Sequence, residues 1–140
     1  MKTLILTFIL VIMVTPATCF GEWEKVLENE SGSITYVDFD SIIVATSLGM
    51  AREDDGDVYY WKLVDYANPV EGDMSAKVYT QGDCDQFRWK VLNSNAYSQA
   101  MGEGSPSSRI DEPDEDWTYA SPDFIGEDTL KSVCNHVKSK

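Results

Sequence analysis

Cys84 and Cys134, fifty residues apart, constrain the fold of this chain more than any other feature. The third cysteine, Cys19, ends a segment with the layout of a secretory signal peptide. Lys2 is followed by an apolar run from Leu4 to Val14 and then by small and polar residues up to Phe20. That run of about a dozen residues is short for a membrane span, which needs about 20. Ala17 and Cys19 have the spacing of a cleavage site, so residues 1–20 are expected to be cut near 17–20. Lipidation of Cys19 is the weaker expectation, because Pro16-Ala17-Thr18 lacks the residues that lipoprotein sites carry. Export leads to an oxidising compartment, where the remaining pair, Cys84 and Cys134, reads as a disulfide.

The rest, residues 21–140, suits one domain with one core. The formal charge is −13 and Lys2 is the only charge before residue 21, so the mature chain carries −14. Such an acidic surface argues against nucleic acid and anionic membrane as partners, since both are polyanions.

Hydrophobic periodicity is that of strands over most of the length. Glu22–Leu27 alternates apolar and charged residues, and Glu28–Ser33 is a turn by composition. Ile34–Asp38 reads as a second strand, and Ile42–Met50 as a third with a bend at Gly49. Val58–Tyr66 is the clearest strand, apolar on both faces in part and ended by Asn68-Pro69. Met74–Gln81 alternates cleanly. Gly82-Asp83 reads as a turn leading into Cys84–Leu92, with a last strand over Asn95–Met101. Residues 102–116 are rich in Gly, Ser, Pro and acids and read as a flexible acidic loop. A helix follows, with Ser121 as its cap and Pro122 in its first turn. Its apolar stripe is Leu130, Val133, Cys134 and Val137. Strands at hairpin spacing and one terminal helix describe an α+β domain with an antiparallel sheet. A Cys84–Cys134 bridge would pin the helix to the sheet.

Little in the chain points to catalysis. There is one histidine, His136, read as an exposed helix-end residue, and no G-x-S-x-G nucleophile motif. The acidic stretches Glu53–Asp57 and Asp111–Asp116 do not fit the EF-hand pattern, so no metal and no cofactor is expected. With 24 acids, some carboxyl pair is bound to be close, so abundance says nothing about glycosidase chemistry. The aromatics are more telling. Four Trp and seven Tyr exceed what one small core must hide. Val58–Tyr66 carries rings on both faces, which makes Tyr59, Tyr60 and Trp61 the candidate contact residues.

Several segments, taken in order, resemble the surface-adhesin protein E family of bacterial envelope proteins. They are Trp23 with Val26, Tyr36-Val37-Asp38 before Ser41-Ile42, and Trp61 ahead of Asp65-Tyr66. Ser75-Ala76-Lys77, Asp83-Cys84 with Phe87-Arg88, Tyr97 before Met101-Gly102, Trp117 before Pro122, and Cys134 complete the series. The resemblance implies about six antiparallel strands with a C-terminal helix held by Cys84–Cys134. It also implies a Gram-negative envelope location, in the periplasm or on the outer-membrane surface, and a non-enzymatic binding protein. The expected partner is a protein, of host or matrix origin in an adhesin, met through the aromatic-bearing sheet faces. Homodimers through sheet edges or faces are a further form. The alternative reading is a periplasmic small-ligand-binding or accessory protein, with an aromatic pocket under the 102–116 loop.

Overall fold

The computed structural model describes residues 21–46, 56–121 and 125–140. The expected leader with Cys19, the Gly49 bend, most of the Glu53–Asp57 stretch and the Pro122 helix start lie outside the described residues. Strands β1 (Trp23–Glu28), β2 (Ile34–Asp38), β3 (Ile43–Val44), β4 (Val58–Val70), β5 (Asp73–Asp83), β6 (Arg88–Tyr97), β7 (Pro106–Ile110) and β8 (Thr118–Tyr119) precede helix α1 (Ile125–Lys138). Among the described residues the strands form one sheet in the order β1-β2-β4-β5-β6-β7, with β3 on β4 and β8 on β6. Every pairing is antiparallel.

The long central hairpin β4–β5 turns at Glu71-Gly72. Both residues have positive φ, 53° and 94°, the geometry of a type I′ turn whose twist matches that of the strands. Pairing lapses between Asp65 and Val70, so Asn68-Pro69 interrupts the ladder while the chain stays extended.

Three expectations are corrected. Cys84 does not begin a strand: β5 runs through Asp83, and Cys84–Phe87 is the loop to β6. The Asp83 carboxylate sets that loop, accepting from the backbone N–H groups of Asp85 and Gln86. Asn95–Met101 is not a separate strand, because β6 continues unbroken to Tyr97. The 102–116 segment is not all loop, since β7 lies in it and pairs with β6.

The helix covers one face. Its stripe delivers Leu130, Val133 and Cys134 against Val37, Val58, Tyr60 and Trp89, all 6% exposed or less. Each fully buried aliphatic side chain contributes about 1.5–3 kcal/mol. Glu127 and Asp128 in the first turn, with Lys138 in the last, complement the helix dipole. The approach is close enough that a Cβ on Gly126 would sit 2.3 Å from the Trp89 ring. Cys84 and Cys134 are joined, with Cα atoms 5.8 Å apart, so the β5–β6 loop and the helix are covalently one unit.

Candidate functional site

The sheet face turned away from the helix carries a row of half-buried aromatic side chains. Alternation puts Tyr59 and Trp61 of β4 on this face, opposite Gln81 and Tyr79 of β5. Trp61 and Tyr79 lie 4.9 Å apart between ring centres and Tyr59 and Tyr79 6.4 Å apart, a tilted three-ring row. All three are half-buried and held on the two longest strands. Tyr60, the third ring expected to make contacts, is in the core. At 1% exposure it lies beneath the helix, and burial pushes its hydroxyl far up from the ordinary range. It is a packing residue, because a one-residue step along a strand reverses the face.

At one end of this face a turn folds over the sheet. Ala100–Gly102 forms a single 3₁₀ turn fastened to β4 and β5 by side chains. The Ser75 hydroxyl donates to Gln99 O at 2.6 Å and accepts from Gly102 N–H at 2.8 Å. Asp65 Oδ1 accepts from Met101 N–H at 2.8 Å, and Lys77 Nζ donates to Gly102 O at 2.9 Å. Leu63 and Ser75 are wholly buried in consequence, although both point away from the helix. Gly102 has φ +65°, and a Cβ there would come within 2.3 Å of Lys77 Cε, so only glycine fits without displacement.

Beside this turn lies a cleft in two adjoining parts. The larger, about 690 Å³, is lined by Trp23, Lys77, Tyr97 and residues Met101 to Gly104. The smaller, about 240 Å³, adds Gly21, Asp38, Trp61 and Asn95. Lys77 is common to both, and its ammonium lies 5.0 Å from the centre of the Tyr97 ring. Sequence reading missed Trp23, Lys77 and Tyr97 as a group. The clean alternation of Met74–Gln81 did place Lys77 and Tyr79 on one face, which was the available signal.

The far end of the same face is a cation–aromatic cluster. The Arg88 guanidinium lies 4.3 Å from the Trp117 ring centre and 5.9 Å from that of Tyr119, and Lys90 Nζ lies 5.0 Å from Trp117. Arg88 Nε also donates to Asp83 Oδ2 at 2.9 Å. Burial by itself would raise the Asp83 pKa. Donation from Gln86 N–H, Arg88 and Asp85 N–H outweighs it and holds the carboxyl below its ordinary value.

His136 is not the exposed helix-end residue expected. Its ring is half-buried and stacks on Phe39 at 4.7 Å, because the 3₁₀ turn Phe39–Ser41 packs against the end of α1. Among the described residues no group of three or more His, Cys, Asp or Glu side chains is arranged to hold a metal ion. No helix there is long and apolar enough to cross a membrane.

Comparison with known proteins agrees with this architecture. Crystal form II of Haemophilus influenzae protein E superposes with a TM-score of 0.58 at 16% identity, covering 81% of this chain and 87% of that one. A second Haemophilus influenzae protein E structure gives 0.58 at 15% identity, covering 84% and 87%. Protein E from non-typeable Haemophilus influenzae gives 0.57 at 14% identity, covering 89% and 83%. At these identities the likeness establishes the fold. No curated protein sequence matches. The model of the family Surface-adhesin protein E matches residues 23–135, from the first strand to the disulfide-bearing helix. The chain belongs to the surface-adhesin protein E family.

Proposed function

We propose that this protein is an exported, non-enzymatic adhesin of the Gram-negative cell envelope that captures a protein partner on its helix-free sheet face. The observation that carries the reading is the Tyr59–Tyr79–Trp61 row. It is half-exposed and seated on the two longest strands, which pair with each other. Tyr and Trp contribute large contact area at low conformational cost, and a sheet face holds them in fixed register. The exposed flank also carries the Arg88–Trp117–Tyr119 cluster, which extends the aromatic surface across β6 and β8.

Two measurements test this. Protease shaving of intact cells, compared with cells whose outer membrane is permeabilised, tests surface display. Binding to immobilised extracellular-matrix proteins and host cells tests capture, with Tyr59→Ala and Tyr79→Ala reducing it about tenfold while the melting temperature changes little. Protection from protease until the outer membrane is opened, or full capture by both variants, would sink the adhesin reading. The cleft beside Ala100–Gly102 favours a second reading, a small-ligand binding protein, because its 690 Å³ lies within the usual range for such sites, about 300–1,000 Å³.

A further inference from the structure

We infer that the cleft between Trp23, Lys77 and the Met101–Gly104 segment is a saccharide site. This rests on the small-ligand reading of the cleft and gives that ligand a chemical class; Trp61 belongs both to the cleft and to the Tyr59–Tyr79–Trp61 row, whereas Trp23 and Asn95 belong to the cleft alone and separate the two readings.

The charges in the cleft disfavour simple ions. Lys77 is common to both parts of it, which disfavours a cationic ligand. Asp38 lines one part and Glu103 the other, and the Lys77 ammonium is already engaged by Gly102 O, which together disfavour an anion. A neutral ligand that both donates and accepts hydrogen bonds answers this arrangement. Hydroxyl groups do both with the same atom.

The polar groups are held in fixed orientations. Asn95 Nδ2 donates to Asn93 Oδ1 at 3.0 Å, and Asn93 Nδ2 donates in turn to Asp111 Oδ1. Arg109 Nε anchors the same Asp111 oxygen at 2.6 Å. This relay orients the Asn95 amide, leaving its carbonyl oxygen and second N–H for the cleft. Asp38 Oδ1 accepts from the N–H groups of Asp40 and Ser41, and Gly21 packs against Oδ2, so this carboxylate is a fixed polar wall of the smaller part.

The apolar walls supply the other half of sugar recognition. Trp23 and Trp61 both line the smaller part, half-buried, so that they present ring surface while their seats are fixed. An aromatic face is electron-rich, and one face of a pyranose is a row of weakly positive C–H groups, so the two stack. A wholly apolar ligand would strip water from the polar groups of Asp38, Asn95 and Lys77 without replacing it, which is costly.

The test uses the purified protein, isotopically labelled, titrated with cellotriose, chitotriose, maltotriose and lactose. Binding in the region of about 1 mM should shift the Trp23 indole and Asn95 side-chain amide resonances and leave Tyr119 unmoved. Trp23→Ala should abolish the response, Trp23→Phe should keep part of it, and Asn95→Ala should weaken affinity about tenfold. Since Trp23→Ala alters an edge strand, its fold is checked by the dispersion of the remaining amide signals. If it unfolds, Asn95→Ala and Trp23→Phe decide the question. No shift with any of the four sugars overturns the proposal. So does an equal response from Asn95→Ala, or a response to indole at these resonances with none to the sugars. That last outcome would retain a small-ligand site while removing the saccharide assignment.

Discussion

Breaking the Cys84–Cys134 bridge should destabilise the protein by about 4 kcal/mol. The cross-link closes a loop of 50 residues. In the chain-entropy treatment such a loop removes about 14 cal/mol/K from the unfolded chain, or about 4 kcal/mol at room temperature. A domain of this size unfolds with an entropy of about 250 cal/mol/K near its midpoint, so the same energy corresponds to roughly 16 °C. The contact side is expected to add little, because Cys134 belongs to the buried core cluster and a thiol there would fill the same space. Thermal melts by circular dichroism, with and without a thiol reductant, measure the shift directly. Denaturant melts supply a second signature. If the effect resides in the unfolded state, the slope of stability against denaturant should rise on reduction as the freed chain expands. A shift below about 3 °C with an unchanged slope would refute the reasoning, since it would mean that the unfolded chain is not constrained by the bridge.

Gly126→Ala should destabilise the fold although it raises helix propensity. Alanine gains up to about 1 kcal/mol in a helix, but its Cβ would meet the Trp89 ring at 2.3–2.9 Å, and overpacking costs about 1–3 kcal/mol; a higher melting temperature would contradict this. Asp83→Ala should cost about 2–4 kcal/mol through two backbone N–H donors and Arg88, and should loosen the loop that carries Cys84. Because the Asp83 pKa is depressed in the fold, its contribution is complete above the unfolded value near 4 and is lost as pH falls through the lower folded value. The variant should therefore show a flatter loss of stability below about pH 4, and an unchanged acid slope would count against it. Gly102→Ala should cost about 1–2 kcal/mol and speed amide exchange at Met101 and Gly102, since it forces alanine into positive φ and displaces Lys77; unaltered exchange would refute the fastening of that turn.

Strands whose residues alternate strongly were legible from sequence, and so was the helix stripe. Met74–Gln81 and Ile34–Asp38 fall within β5 and β2, and Leu130, Val133 and Cys134 meet the core as their spacing requires. What escaped was set by tertiary pairing. Pro106–Ile110 is exposed at every position, so β7 has no periodic signal and exists because the outer edge of β6 accepts it. The Asp83 loop was misread because Gly82-Asp83 looks like a turn, whereas the turn is made one step later by the Asp83 side chain. Alternation showed that Tyr59 and Tyr60 lie on opposite faces, but which face the helix would cover is not written in the strand itself. The cleft joins Trp23, Lys77, Tyr97 and Met101 from separate segments, a conjunction that only the folded sheet creates.

The disulfide also changes how the molecule would bear a load. Cys134 lies in the second half of α1, and its partner lies in the β5–β6 loop. A pull applied before Cys84 and after Cys134 therefore bypasses the chain between them, namely β6, β7, β8 and the helix as far as Cys134. Fifty residues of extended chain amount to roughly 170 Å that tension cannot draw out. Force applied at Lys140 is delivered straight to the end of β5 instead of peeling the helix from the core. The stretchable part is then β1 to β5, and Tyr59, Trp61 and Tyr79 lie within it. The aromatic row and the extensible strands thus lie in the same half of the chain, while the looped half stays folded behind its covalent clasp.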